Sequence, residues 1–209
     1  MALNRPFGVA PYQHGTMAST SMRVTKYRIP SGDGSAFYVN DTVIAAAGAD
    51  ANGIPNIAKA TGTARIRGVI VGFEIPATNL PSLQGTVIND NVMSVPAAKG
   101  GVDYYAFVVD NREATFMCQD DGITTGNLVA ASANLNCNLT IAAPSQPQQV
   151  SATVILSSSI AVTSTFSMKL LGLAQLPAIP GGGSNVFGAY AVWAMRANLH
   201  EFDGSVAGV

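Results

Sequence analysis

An all-β fold, a β-barrel or jelly-roll-like sandwich behind an extended N-terminal arm, is predicted by three observations. Turn clusters recur roughly every 8–12 residues, the spacing of antiparallel sandwiches and barrels. The runs between them are rich in Val, Ile, Thr and aromatic residues, which fit a pleated, half-buried surface. No segment carries a sustained helical stripe, so about ten to twelve strands account for the ordered chain.

Residues 1–26 read as the arm. Pro6, Gly8, Pro11 and Gly15 interrupt any helix or ladder, and Ala18-Ser19-Thr20-Ser21 is small and polar. Leu3, Phe7, Val9, Tyr12, Met17 and Met22 are spaced through it as anchors. Such a segment orders either on a partner or by folding back on its own domain. Residues 27–209 form the predicted barrel or sandwich domain.

Arg23–Ile29 alternates loosely with a period of two, and Ser31–Ser35 is a turn. Phe37–Val39 and Thr42–Ile44 follow as strands, then the turn cluster Gly48–Gly53 and a short strand Ile54–Ala60. Arg65–Glu74 is the strongest strand of the first half, and its glycines, Gly68 and Gly72, predict a bulge or a close backbone approach. Residues 75–103 read as a long functional or interfacial loop with one strand at Thr86–Ile88. Tyr104–Val109 is a buried strand, Asp110-Asn111-Arg112 a turn, and Ala114–Cys118 the hairpin partner. Asp120-Asp121-Gly122 is a further turn, with candidate strands at Asn127–Ala131 and Leu139–Ile141. Pro144–Gln149 is a polar linker; strands are predicted within Val150–Thr165 and over Phe166–Ala174. Pro177–Asn185 is a loop. In the last strand, Gly188–Leu199, the face bearing Ala191, Trp193, Met195, Ala197 and Leu199 is the more apolar and points to the core. Short helices are placed at Asn89–Ala98 or Ile123–Leu128.

The chain is 48% hydrophobic and only 11% charged, against roughly 25% charged residues in a typical soluble domain. A surface built from Ala, Ser, Thr, Asn, Gln and Gly suits a protein covered by neighbours. The alternative is a monomer with a neutral, hydroxyl-rich skin. The net charge of −1 is unevenly placed. Met1–Gly32 contains Arg5, Arg23, Lys26 and Arg28 and no acid, hence +4, while the rest carries seven basic and twelve acidic residues, hence −5. Arg5, Phe7, Tyr12, Arg23, Lys26 and Arg28 are therefore the candidate partner contacts, docking on an acidic protein surface or on the acidic body of a second copy. With a sequence pI near 6.0, nucleic acid is not the expected partner, since phosphate binding asks for a denser positive patch.

Enzymatic chemistry finds little support. A catalytic site needs convergent titratable groups. His14 lies in the arm and His200 near the end of the chain, and no G-x-S-x-G elbow accompanies them. Asp120-Asp121-Gly122 lacks the spacing and the later Glu of a calcium loop. No glycine pattern opens a phosphate-binding helix. Cys118 and Cys137 lack the close pairing of a zinc site and are expected as buried free thiols. No window reaches the roughly 20 apolar residues of a spanning helix, and Met1–Pro6 has no apolar run behind it, so folding in a cytoplasm is expected, without membrane, cofactor, metal or small-molecule substrate.

Tyr27-Arg28-Ile29-Pro30, the turn Ser31–Ser35 and Phe37-Tyr38-Val39-Asn40-Asp41-Thr42-Val43 together resemble the opening of small cement, or decoration, proteins of tailed phages. There an extended Tyr-x-x-Pro segment precedes a strand of the form small-x-φ-φ-x-G/N-D-x-V. The resemblance continues through Ala49–Pro55, Gly68–Phe73 and Leu170–Gln175 and closes with Trp193–His200. The chain is longer than the smallest such proteins, and its arm matches them less clearly. The resemblance implies a barrel or jelly-roll-like domain, often a homotrimer, on the outer surface of a virion capsid. It would bridge neighbouring copies of the major capsid protein and oppose internal DNA pressure. A head-fibre base or a tail-tube or connector component is the alternative virion role, and a ligand-binding or hydrolytic barrel the alternative outside the virion.

Overall fold

The computed structural model describes residues 4–12, 22–74, 93–123, 128–144, 150–176 and 185–203. The strands are β1 (Ala10–Pro11), β2 (Val24–Ile29), β3 (Phe37–Tyr38), β4 (Thr42–Ala49), β5 (Pro55–Lys59), β6 (Gly68–Glu74), β7 (Ser94–Val95), β8 (Tyr104–Val109), β9 (Thr115–Gln119), β10 (Asn136–Thr140), β11 (Val154–Ala161), β12 (Met168–Leu173) and β13 (Val192–Ala197). Among the described residues the only helical element is a 3-10 turn, Ala130–Ser132. The fold is all-β, as the alternation of strand and turn signals predicts.

β2, β5, β4, β6 and β8 close into a barrel in that order. Tyr27, Ile29, Val43, Ile57, Ile70, Phe73, Tyr104, Ala106 and Val108 fill it, with Phe37 and Val95 from the small β3–β7 ribbon. A bulge sets this packing. The register of β6 against β8 slips between Ile70 and Gly72. The extra residue changes the phase of the strand, so Ile70 and Phe73, three apart, face the same interior and Glu74 emerges outside. Gly68 supplies the predicted close approach: a Cβ there would stand 2.3 Å from the carbonyl oxygen of Val109. The β2–β5 seam is a parallel contact registered at Arg28 and Asn56 alone.

β1, β9, β13, β12, β10 and β11 form a six-stranded antiparallel sheet. It curls until β11 returns to β9, where Asp120 bridges Ile155 and the Cys118 thiol lies 3.5 Å from the Thr153 carbonyl oxygen. Its concave face carries Phe116, Cys118, Cys137, Leu139, Ile155, Met168, Leu170, Trp193 and Met195 onto Ala60, Ile66, Val69 and Val109 from the barrel's outer wall. This shared layer makes a sandwich-like pairing of barrel and sheet. The face predicted for the last strand, with Trp193 and Met195 inward, is the one observed, and both side chains are fully buried. The two halves touch most closely at Gly62, where a Cβ would lie 1.8 Å from the Leu139 carbonyl oxygen. The Gly62 carbonyl instead accepts the Leu139 N–H at 3.0 Å and the Ser167 hydroxyl at 3.0 Å.

Several expectations are corrected. Thr115–Gln119 is not the hairpin partner of β8: β8 pairs with β2 and β6, and β9 with β1 and β13. The Asp110–Arg112 turn thus carries the chain from barrel to sheet, because β8 already has neighbours on both edges. The strand expected at Asn127–Ala131 ends in the 3-10 turn. Within Asn89–Ala98 the described part holds strand β7 rather than a helix. The strand expected at Thr86–Ile88 and most of the Ile123–Leu128 helix lie outside the described residues.

Residues 1–26 are not one free arm. Residue 26 falls inside barrel strand β2. Ala10 and Pro11 pair with Met117 and Phe116 at the edge of the sheet. Val9 is buried in the shared core and Tyr12 on the sheet's outer face with Ala174, Val192 and Ala194. An edge strand ending in Pro11 fits here because its missing N–H faces no further strand.

Candidate interaction surface

The six residues expected to reach a partner divide into three kinds. Phe7 and Tyr12 pack at home. Phe7 lies against the outer-face cluster, and its carbonyl accepts the Asn40 Nδ2–H at 2.8 Å. The Tyr12 hydroxyl accepts the Gln175 N–H at 2.8 Å, and the Tyr12 N–H reaches the Thr115 carbonyl at 2.8 Å. Lys26 and Arg28 are engaged within the barrel. Lys26 pairs with Glu74 and lies 4.3 Å from the centre of the Tyr105 ring. Arg28 grips Asp103 through Nε and Nη2, each at 2.8 Å, and reaches the Asn56 Oδ1 across the β2–β5 seam at 3.4 Å. Of the arm cations, Arg5 and Arg23 alone present exposed side chains to a partner. Half of that positive charge, Lys26 and Arg28, is committed to pairs that hold the barrel closed.

The other barrel charges behave alike. Lys59 pairs at 2.9 Å with Asp41, whose side chain is wholly buried. Asp110 accepts the Tyr27 hydroxyl and Asp50 the Tyr105 hydroxyl, each at 2.8 Å. Burial, reinforced by that bond to Asp110, pushes Tyr27 up to about 12. The Lys99 ammonium donates to the carbonyls of Asp33 and Ser35, tying the segment before β8 to the turn before β3. Burial, only partly offset by Asp33, lowers its pKa.

The sheet is made differently. From Gly122 to His200 the only charged side chains are Lys169 and Arg196. Ile123, Val129, Val162, Leu171, Leu176, Val186 and Phe187 of this stretch are exposed, against Val24, Met93 and Phe202 elsewhere among the described residues. Val162 is 85% exposed at the end of β11. Leu176, Val186 and Phe187 are presented by one clamp. The Asn185 amide donates to the carbonyls of Ala174 and Val192, each at 2.7 Å, and its oxygen accepts the Val192 N–H at 3.0 Å. An asparagine here replaces a missing strand, satisfying backbone groups of both β13 and the segment after β12. Phe187 also leans on buried Trp193, ring centres 5.6 Å apart. Its exposed neighbours thus start from a fixed position, which lowers the ordering cost of binding. The sequence signal for this surface, 79 residues with two charges, was visible but is masked when composition is averaged over the whole chain.

Four titratable groups outside the barrel, Cys118, Cys137, Asp120 and His200, are buried. Cys118 and Cys137 are free, buried thiols, as expected; burial pushes both up, Cys137 to about 12. Asp120 accepts the N–H groups of Gly122 and Tyr190 on one oxygen, while the other is buried without a partner, and burial raises its pKa. Asp121 holds Ser157 of β11. These carboxylates close the β9–β11 junction. His200 is buried, and its Nε2 makes no hydrogen bond; His14 lies outside the described residues. No cluster of three or more His, Cys, Asp or Glu side chains able to hold a metal occurs among the described residues. In comparisons with known proteins, no family model, no curated protein and no solved structure matches the chain.

Proposed function

We propose that this chain is a structural, non-enzymatic virion subunit. In this reading it docks through the charge-poor sheet onto the outer surface of a phage capsid. There it cements neighbouring copies of the major capsid protein, together with further copies of itself in a homotrimer. The observation that carries the reading is the concentration of exposed apolar side chains on a stretch with two charges. Exposed apolar area on a surface with so little charge favours association. Clamping requires contact area rather than turnover, and several contacts per particle multiply avidity. The resemblance of the strand motifs to those of decoration proteins supports the capsid; the surface itself supports assembly.

The test is cosedimentation of the purified chain with capsids that lack it. Changing Val162 and Val186 to Asp, both at exposed positions, should abolish cosedimentation while leaving the circular dichroism spectrum and melting temperature nearly unchanged. Changing Arg5 and Arg23 to Ser should weaken binding less than threefold. The reverse pattern, retention by the Asp variant and loss by the Ser variant, would return the docking role to the N-terminal cations. Light scattering of the free protein tests the homotrimer.

A further inference from the structure

The chain beyond β13 is a strap between the two halves. At its start, Asn198 is fixed to the sheet side. Its amide donates to the carbonyls of Phe166 and Ser164 at 2.7 and 3.0 Å, and the N–H groups of Asn198 and Leu199 reach the Ser167 carbonyl. At its end the strap grips the barrel. The Glu201 carboxylate accepts the Ala45 N–H of β4 at 3.0 and 3.1 Å and the Arg67 Nε–H at 2.7 Å. Arg112 reaches Asp203 at 2.8 Å. Between these anchors the strap runs parallel to Ile66, exchanging the bonds Ile66 N–H to Leu199 carbonyl (3.0 Å) and Glu201 N–H to Ile66 carbonyl (3.1 Å).

His200 sits at the middle of this crossing, 2% exposed. Its Nδ1 accepts the Phe202 N–H at 3.1 Å, which fixes the neutral tautomer with the proton on Nε2. Nε2 is buried and unbonded. A second proton must go to Nδ1. There an N–H would confront the Phe202 N–H, and the new charge would have no water to solvate it. The groups facing the ring pull in both directions. Asp203, which also accepts the His200 backbone N–H at 3.3 Å, the Arg67 carbonyl and Asp110 favour the imidazolium. The Arg67 guanidinium, stacked 4.3 Å over the Phe202 ring, opposes it. Each acid has a prior partner: Asp203 has Arg112, Asp110 has the Tyr27 hydroxyl and Glu201 has Arg67.

We propose that His200 is a proton-operated catch: protonation of its imidazole frees the strap Asn198–Asp203 from the barrel, while barrel and sheet keep their own strands. Loss of the Phe202 bond and the need to hydrate the cation both favour the open strap.

Burial outweighs the nearby acids and holds the folded pKa below the ordinary imidazole value of 6.5. The open form therefore binds the proton more readily. The strap is closed at full strength above pH 6.5. Below that pH each unit multiplies the open population by up to about tenfold, until the folded pKa is passed and the effect levels off.

The chain has two histidines, so proton NMR of the full-length protein, with a His14→Asn variant for assignment, reads His200 directly. The expected titration midpoint lies below 6.5. Amide exchange of Ala45, Ile66 and Glu201, corrected for intrinsic rate, should accelerate by up to about tenfold per unit below pH 6.5, while that of Met195 in β13 stays constant. His200→Asn keeps an acceptor for the N–H two residues on and cannot titrate, so it should abolish the acceleration. A midpoint at or above 6.5, strap amides indifferent to pH, or acceleration that persists in His200→Asn would each overturn the proposal. If the variant does not fold, the titration and exchange of the unaltered chain still decide.

Discussion

The barrel and the sheet manage polar chemistry in opposite ways. The barrel places Lys26, Arg28, Lys59, Asp41, Asp103 and Asp110 on or near its wall and pairs them across strands. Its single-register β2–β5 seam is supported by these specific contacts. The sheet's strands carry only two charges, and the sheet is held by ladder bonds, by amide side chains such as Asn185 and Asn198, by the Asp120 and Asp121 carboxylates at the β9–β11 junction, and by the apolar layer around Trp193. Side-chain pairs thus brace the half that must close on itself. The half with a wide apolar layer beneath it leaves its outer surface uncommitted.

The sharpest way to break this contrast is to remove one lysine from each half. Lys59→Met leaves the carboxylate of Asp41, wholly buried, without its cation. It should destabilise the protein by about 3–5 kcal/mol. Lys169→Met on the sheet should change stability by no more than about 0.5 kcal/mol. Urea denaturation of both variants measures the difference, and similar losses would mean that the halves are not braced differently.

Next in size is loss of residues 1–12. Val9 and Tyr12 are buried against the body, and full burial of a side chain such as Val contributes about 1.5–3 kcal/mol. The truncated chain should remain folded but melt clearly lower, by several degrees. An unchanged melting temperature would restore the segment to the role of a detachable arm.

The smallest effect belongs to the barrel seam. Burial pushes Asp103 up, but the Ser31 N–H and Arg28 together hold it below the ordinary carboxylate range. A carboxylate with a depressed pKa contributes stability above the unfolded value of 3.8, lost as pH falls through the folded value. Arg28→Gln should cost about 1 kcal/mol at neutral pH. Part of that difference should vanish as pH falls below 3.8 and through the folded value, read from urea midpoints at several pH values.

The strand inventory was legible because it rests on local signals: alternation in β2, glycines in β6, and the two-faced pattern of β13. Pairing was not. Tyr104–Val109 and Thr115–Gln119 look like a hairpin because a turn joins them, yet β8 is already enclosed by β2 and β6. That is decided by long-range closure, which no local pattern encodes. The intrachain pairing of Lys26 and Arg28 was hidden for a related reason. Arg28 and Asp103 are distant in the chain, so a cation run without neighbouring acids looks free in sequence while being paired in space. The burial of Val9 was foreshadowed by its apolar spacing, but whether such an anchor seats at home or on a neighbour depends on a groove that only the fold creates.

Gly62 carries a mechanical consequence. Its carbonyl is shared by Leu139 and Ser167, and the backbone of β10 passes so close that no side chain fits between them. Barrel and sheet are therefore riveted, not hinged, at this point. A tug on the sheet's outer surface would reach the barrel as tension across that rivet instead of being absorbed by sliding of one half over the other.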